Sequence, residues 1–254
     1  MGKAVHLFLF VWAFWGSAWA QTDMAQAITR IKPSVVIVGT FGATDSPRFQ
    51  LKGTGFAVGD GSLVVTNAHV VPEGTGPVGA PALAVQVRNA LGDWQLRSAS
   101  VVVSEPARDL AVLRIDGIPA PALVVGDSSR VQEGQSLGFM GFPIGGALGF
   151  SPVTHRAMVS AITQATLPSP TAQSLTERAV RSLRAGPFEF FQLDATAYPG
   201  NSGGPLFDPA TGEVVGVMNM VFLKGTRESA LSQPSGISYA VPSRYLRELL
   251  GQVK

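Results

Sequence analysis

The sequence predicts an all-β protein with a short helix near each end, and three observations support this prediction. Short apolar runs recur between Val35 and Val241, and clusters of turn residues such as Gly59-Asp60-Gly61 and Pro72-Glu73-Gly74 separate them. This pattern is typical of a β-barrel or a β-sandwich. A segment near each end of the chain shows apolar residues at helical spacing. The chain has 254 residues, and all-β barrels of roughly 200 to 250 residues commonly form one domain.

The first helix is predicted from Met24 to Ile31, because apolar residues repeat there at helical spacing and Pro33 prevents its continuation. Six strands are then predicted in the first half of the chain. They are Val35 to Phe41, Gly55 to Val58, Leu63 to Thr66, Leu83 to Val87, Gln95 to Val103 and Leu110 to Ile115.

The segment from Gly117 to Ala122 contains two prolines, which disfavour a paired central strand, so we expect it to connect the two halves. Six further strands are predicted: Gln135 to Phe142, Val153 to Ile162, Phe190 to Ala195, Pro205 to Phe207, Val214 to Val221 and Ile237 to Val241. Ser243 is predicted to cap a closing helix from Arg244 to Leu250. Its apolar side would carry Tyr245, Leu246, Leu249 and Leu250.

Residues 1–20 have the pattern of an export signal. Lys3 supplies a positive end, Ala4 to Trp15 is apolar, and Ala18-Trp19-Ala20 is a small-x-small cleavage site. The apolar run is shorter than the ~20 residues that span a bilayer, so we predict cleavage rather than a stable membrane anchor. The mature chain, residues 21–254, is then expected in the periplasm of a Gram-negative cell, or otherwise outside the cell.

Charge and cysteine content exclude several classes of function. Removing Lys3 with the signal leaves 18 basic and 17 acidic residues, and no run of Lys and Arg forms a nucleic-acid footprint. The absence of cysteine means that no disulfide or thiolate chemistry is available. No metal site is predicted, since metal ligands cluster and His155, without a motif around it, reads as a surface or loop residue. No cofactor is predicted either.

A glycine-rich stretch, Tyr198-Pro199-Gly200-Asn201-Ser202-Gly203-Gly204-Pro205-Leu206, provides the strongest functional signal. Residues without Cβ allow close approach of a substrate to the backbone, so Ser202 would lie exposed among free N–H groups. A Gly-rich turn without function is the plain alternative. A nucleophile elbow of the α/β-hydrolase type is excluded by chain order, because it needs a histidine after the serine and all three histidines precede Ser202.

Two further motifs precede this stretch. Thr66-Asn67-Ala68-His69-Val70-Val71 follows a predicted strand, and Asp109-Leu110-Ala111-Val112-Leu113 starts another. Histidine, then aspartate, then serine is the order of the chymotrypsin-type triad. With these motifs, and with Gly138-x-x-Gly141-x-Pro143 and Gly236-Ile237-Ser238-Tyr239-Ala240-Val241-Pro242, the chain resembles trypsin-like serine proteases of the HtrA (Deg) type. The resemblance extends from about Ile28 to Leu250.

This resemblance implies a chymotrypsin-like double β-barrel. The first barrel would cover about 34–116, the second about 128–242, and the C-terminal helix about 243–252. Relatives of this type often carry a PDZ domain after the protease domain, and we expect this chain to lack one, together with PDZ-based recruitment. A homo-oligomer is left open.

The resemblance also implies roles for individual residues. His69 would act as general base, Asp109 would orient it, and Ser202 would be the nucleophile. The oxyanion hole would lie in the backbone of Gly200, Asn201 and Ser202. Trypsin-like relatives that are activated by proteolysis have an acid where this chain has Asn201. We therefore expect activity without any trimming beyond signal removal.

The primary specificity pocket is assigned by the same analogy. It would be lined by Thr196, Ala197, Tyr198, Met218, Asn219, Met220, Gly236, Ile237 and Ser238. Thr196 stands where trypsin-type enzymes have an acid that binds Lys or Arg. Without that charge, burying a cationic side chain is unfavourable, so small to medium apolar P1 residues are expected.

The insertion at residues 163–189 contains a helix-capable segment from Ala172 to Leu183. We hypothesise a regulatory or oligomer-forming role for it, and plain solvated surface is the alternative. For the whole chain, the predicted function is that of an endopeptidase acting on proteins or peptides, unfolded ones included, in protein quality control or processing. Its alternatives are a non-catalytic binding or chaperone-like module on the same fold, and an esterase-like hydrolase that uses the same triad.

Overall fold

The computed structural model describes residues 19–72, 81–89, 91–146, 150–165, 188–219 and 236–253. Most of the predicted signal, most of the insertion after β8 and Met220 lie outside these ranges. Helix α1 spans Trp19–Ile31 and helix α2 spans Ser243–Leu250. The strands are β1 Val35–Phe41, β2 Phe49–Val58, β3 Leu63–Thr66, β4 Ala82–Arg88, β5 Trp94–Glu105, β6 Leu110–Ile115, β7 Ser136–Gly141, β8 Val153–Ala165, β9 Phe188–Asp194, β10 Pro205–Phe207, β11 Val214–Asn219 and β12 Ile237–Pro242.

The twelve strands form two closed antiparallel barrels, which confirms the predicted double barrel. The first barrel has the strand order β1-β2-β3-β6-β5-β4, and the second has β10-β11-β12-β9-β8-β7. Residues 117–122 form no strand and connect the barrels, as their prolines predict. Closure of both sheets gives each of these strands two paired neighbours.

The core explains why the strands read as nearly continuous apolar runs. In β1 successive residues point to opposite faces: Val36 and Val38 pack inside the first barrel, whereas Val35 and Ile37 pack into a second cluster between the barrels. That cluster includes residues from both barrels and both helices, among them Ile31 and Leu246. A third cluster fills the second barrel. The strands facing the other barrel are therefore buried on both sides.

Helix α2 begins one residue earlier than predicted, and its N-terminus is capped differently. Ser243 is the first helical residue, and its hydroxyl donates to Gly126 O at 2.8 Å. The prediction that Ser243 caps the helix is therefore wrong. The N–H of Arg244, in the first turn of the helix, donates instead to the buried hydroxyl of Ser128 at 2.9 Å. A residue distant in sequence satisfies the helix end, which local pattern cannot reveal.

Replacing Ser128 with alanine is expected to lower the free energy of unfolding by about 1 kcal/mol, the usual cost of losing a capping hydroxyl. The matched control is Ser129→Ala, because Ser129 is exposed and its side chain contacts Asp127 in its own turn rather than the N-terminus of helix α2. Urea unfolding of the two variants and the parent protein measures the difference. Equal stability of both variants would contradict the capping role.

Within the described residues, neither helix is long and apolar enough to cross a membrane.

Candidate active site

His69 and Asp109 are brought together by the pairing of two strands. His69 lies in a 3-10 turn, Ala68–Val70, directly after β3, and Asp109 immediately precedes β6. These strands pair antiparallel, with Thr66 opposite Ala111. The end of one strand and the start of its partner therefore meet, and both side chains lie at the same edge of the first barrel.

The Asp109 carboxylate binds His69 through both of its oxygens. Oδ2 lies 2.6 Å from His69 Nδ1, and Oδ1 accepts from the His69 backbone N–H at 2.9 Å. The Asp109 side chain is 1% exposed, whereas that of His69 is 24% exposed. A buried carboxylate needs donors of this kind. The contact assigns the proton of neutral His69 to Nδ1 and leaves Nε2 as the acceptor.

Asn219 also contacts Asp109. Its buried Nδ2 donates to Asp109 Oδ2 at 3.0 Å, so its side chain is engaged with the acid, and its place in the substrate pocket stays a prediction. No local sequence signal indicates this role, because it depends on β11 of the second barrel reaching the acid on the first.

The backbone of Asp109 is held in a left-handed conformation, with φ of 57°, which is uncommon for a residue other than glycine. Two hydrogen bonds to its carbonyl oxygen support it: Asn67 Nδ2 donates at 2.9 Å and the Ala68 N–H donates at 3.2 Å. The neighbouring Arg108 donates to Glu248 of α2 at 2.7 Å and lies over the ring of Tyr245. The loop carrying the acid is thus attached to the C-terminal helix.

Ser202 belongs to the second barrel and lies in the loop between β9 and β10. It is buried, and its carbonyl oxygen accepts from the N–H of Thr54 in β2 at 2.9 Å. This bond places the serine against the barrel that carries His69 and Asp109. Among the described contacts, the Ser202 hydroxyl makes no hydrogen bond with the imidazole, and such bonds are often long or misaligned without substrate.

The backbone around Ser202 has two unused donors. Within the described part of the chain, the N–H groups of Gly200 and Ser202 make no hydrogen bond. The N–H of Asn201, between them, donates to Tyr198 O at 3.0 Å, and that of Gly203 donates to Met218 O at 3.0 Å. Asn201 was grouped with the predicted donors, but its amide is already occupied. Two amides on either side of it remain free to bind an anion.

The residues predicted to line the substrate pocket have varied environments. Ser238 is buried, and its hydroxyl donates to Ala195 O at 2.6 Å and accepts from the Ala197 N–H at 3.0 Å. It fixes the backbone next to Thr196 and Tyr198, which are both half-buried. Gly236 and Ile237 are exposed. Met218 is fully buried in the core of the second barrel, so its side chain cannot line an open pocket.

His155 lies in β8 rather than on a loop, and it is half-buried, which corrects its expected surface position. Its ring stacks on Phe139, with ring centroids 4.6 Å apart and an angle of 12° between the planes. Burial lowers the pKa of His155 below 6.5, because the charged form loses hydration. The sequence pattern that could have indicated this position is the alternation of β8, in which every second residue faces the barrel interior.

The free energy of unfolding is expected to fall as the pH drops below about 6.5, partly because of His155. With its folded pKa below the unfolded value, the unfolded chain binds the proton more readily, so acid favours unfolding. This contribution is complete above pH 6.5 and decreases as the pH falls towards the folded pKa. Urea unfolding at pH 5.5 and 7.5 should show a smaller pH dependence in His155→Gln. An unchanged dependence would contradict the assignment.

Among the described residues, no group of three or more His, Cys, Asp or Glu side chains is placed to hold a metal ion.

Residues 53–217 match the family described as trypsin-like peptidase domain. This range contains all three residues of the predicted triad and both free amides.

Two curated relatives are similar over most of this chain. The chain is 32% identical over 205 residues to a protein from Pseudomonas putida named "Probable periplasmic serine endoprotease DegP-like", which covers 81% of this chain and 35% of that protein. It is 32% identical over 233 residues to "Serine protease HTRA2, mitochondrial" of Bos taurus, covering 89% of this chain and 42% of that protein. The chain thus spans about a third of the length of its DegP-like relatives.

Two solved structures share the fold. "HtrA-type protease AlgW with tripeptide" aligns with a TM-score of 0.64 and 26% identity, covering 91% of this chain and 63% of that one. The crystal structure of Deg5 aligns with a TM-score of 0.65 and 25% identity, covering 91% of this chain and 93% of that one.

Proposed function

This chain belongs to the trypsin-like serine proteases of the HtrA type, and we propose that it is an exported endopeptidase that uses His69, Asp109 and Ser202. The observation that carries the proposal is the Asp109–His69 contact of 2.6 Å together with the free amides of Gly200 and Ser202. An oriented base and two anion donors beside one hydroxyl are the parts that acyl transfer requires.

In the proposed reaction, Ser202 Oγ attacks the carbonyl carbon of the scissile peptide bond. His69 Nε2 accepts the hydroxyl proton as the new C–O bond forms, and Asp109 stabilises the imidazolium. His69 then gives the proton to the amine as the C–N bond breaks, which leaves an acyl-enzyme. Water hydrolyses that ester by the same proton transfers in reverse, and Ser202 is regenerated.

The oxyanion of each tetrahedral intermediate would accept hydrogen bonds from the N–H groups of Gly200 and Ser202. Both amides are already free, so no internal bond has to break when the charge develops. Preorganised donors of this kind contribute strongly: the loss of one costs on the order of 10² to 10³ in rate in other enzymes.

The substrate class we propose is protein or peptide with an apolar residue of small to medium size at P1. Thr196, half-buried beside the fixed backbone of Ala197, carries no charge that could bind Lys or Arg. A peptide library with all P1 residues is expected to show cleavage after residues such as Ala and Val. Strict cleavage after Lys or Arg would contradict the proposal.

The cellular setting we propose is the periplasm, with a role in protein quality control or processing. The DegP-like relatives are named as periplasmic, and residues 1–20 have the sequence pattern of an export signal. Detection of the mature protein in the periplasmic fraction of its host, with Gln21 at its N-terminus, would test this location.

The experiment that tests the activity is covalent labelling of the purified protein with a fluorophosphonate probe, with Ser202→Ala and His69→Ala as controls. We expect labelling of the parent protein and of neither variant. Absence of labelling in well-folded parent protein, also after addition of unfolded protein, would favour the alternative of a non-catalytic binding module. A labelled enzyme that cleaves esters but no peptides would favour the esterase-like alternative.

A further inference from the structure

Thr54 lies at the point where the first barrel meets the loop that carries Ser202. It is fully buried in β2. Its hydroxyl donates to Gly200 O at 2.6 Å and accepts from the Phe142 N–H at 3.0 Å. Its backbone N–H donates to Ser202 O at 2.9 Å. One residue of the first barrel therefore contacts the serine loop twice.

The direction of the hydroxyl proton is fixed by these contacts. The Phe142 N–H can only donate, so it occupies an acceptor position of Thr54 Oγ1. The single proton of the hydroxyl is then available for Gly200 O. The backbone carbonyl of Thr54 is itself held by the Thr66 hydroxyl at 2.7 Å. Thr54 is thus held by donors from Thr66 and Phe142, and its own hydroxyl proton holds the carbonyl of Gly200.

In the serine loop, between β9 and β10, each of the four carbonyls from Pro199 to Ser202 has a donor. Pro199 O accepts from the Ile144 N–H at 2.7 Å, and Asn201 O accepts from the Gly204 N–H at 3.0 Å. Thr54 supplies the donors for the carbonyls of Gly200 and Ser202. The C=O of one residue and the N–H of the next belong to one planar trans unit and point in opposite directions. Fixing these four carbonyls therefore fixes the direction of the amides at 200 through 203.

We propose that the Thr54 hydroxyl is a positioning group for the oxyanion hole, an inference that rests on the proposed protease function. The bond to Gly200 O holds the peptide unit that lies between the two free amides. With that unit fixed, the N–H groups of Gly200 and Ser202 keep their direction relative to each other. Without it, Gly200 has the conformational freedom of a glycine at φ of 103°.

The packing around the hydroxyl leaves room for it alone. A Cβ added at Gly141 would lie 2.9 Å from Thr54 Oγ1 and 2.7 Å from Asn201 Oδ1. On the other side, a Cβ at Gly53 would lie 2.9 Å from Ser202 O. The contact at Gly53 explains one glycine beside Thr54, and a Cβ at Gly55 would likewise lie 2.9 Å from Val65 O. Glycine within a strand often marks close contact with another backbone.

The test compares Thr54→Val, which removes the hydroxyl but keeps the shape, with Thr54→Ser, which keeps it. Thr40→Val is the matched control, since Thr40 is a buried strand residue of the same barrel with no contact to the serine loop among the described hydrogen bonds. Rates are measured with a fluorogenic peptide and divided by the concentration of active sites titrated with a fluorophosphonate. This normalisation removes the effect of any unfolded fraction.

We expect Thr54→Val to lower kcat by about tenfold to a hundredfold, less than the loss of a whole oxyanion donor, while KM changes little. Thr54→Ser and Thr40→Val should keep kcat within about twofold of the parent value. If Thr54→Val does not fold, Thr54→Cys provides a weaker donor of similar size, and its kcat should also fall.

If the role of the Thr54 hydroxyl were only structural, Thr54→Val would contain fewer titratable active sites, and the kcat of each active site would be unchanged. That result, or a rise in KM alone, would overturn the inference, as would a Thr54→Ser variant as slow as Thr54→Val. Failure of the proposed function looks different again, because the parent protein would then neither react with the probe nor cleave the peptide.

Discussion

Replacing His69 with alanine is expected to lower kcat for peptide hydrolysis by about 10⁶-fold, the effect of removing the base from a comparable triad. Among the described residues, no other base contacts the Ser202 hydroxyl, because the buried carboxylate of Asp109 contacts His69 and Asn219 rather than the serine. Substrate binding should be retained. The measurement is the steady-state rate with a fluorogenic peptide, with KM determined in parallel.

A graded comparison makes this prediction specific. Asp109→Asn keeps the shape of the site but favours the wrong tautomer of His69, and the expected loss is smaller, about 10⁴-fold. Asp116→Asn is the matched control, because Asp116 is exposed and, among the described hydrogen bonds, only its backbone N–H is engaged, with Ser98 O. Equal rates for His69→Ala and the parent protein would refute the role of the imidazole. An unchanged rate in Asp109→Asn would refute the role of the acid.

The sequence predicts the barrels well because each strand is specified locally. The bounds of β1, β3, β6 and β10 agree with the prediction, since turn residues flank apolar runs at both ends of each strand. The start of β2 was missed: the strand begins at Phe49, whereas the prediction began at Gly55. Pairing with β1 extends it, Phe41 lying opposite Phe49. Tertiary contacts override the low strand propensity of Gly53.

The candidate site was predicted to the extent that its chemistry lies in motifs. His69 and Asp109 could be found by type and order, and they do lie in contact. The contacts of Asn219 and Thr54 could not, because each reaches across the contact between the barrels to a residue more than a hundred positions away. The only available signal for Thr54 was its place between two glycines. Such contacts depend on how two barrels dock, which no local pattern encodes.

Replacing Gly203 with alanine is expected to lower the free energy of unfolding by about 2 to 5 kcal/mol, the sum of strain at positive φ and overpacking. Gly203 has φ of 85°, and a Cβ there would lie 2.2 Å from Thr54 O and 2.4 Å from Thr66 Oγ1. The atoms in its way belong to Thr54, whose N–H and hydroxyl hold the serine loop, and to Thr66, which holds Thr54. The rate for each active site should therefore fall at least about 10²-fold, as expected when reacting groups are displaced.

Gly134 provides a control with the same backbone. Its φ is 84°, but a Cβ there would meet nothing within 4 Å. Gly134→Ala should thus show only the conformational cost, about 1 kcal/mol, with kcat unchanged. The difference between the two variants isolates the effect of the contact with Thr54 and Thr66. If both lost the same stability and Gly203→Ala kept full activity, the serine loop could not depend on its close packing against β2.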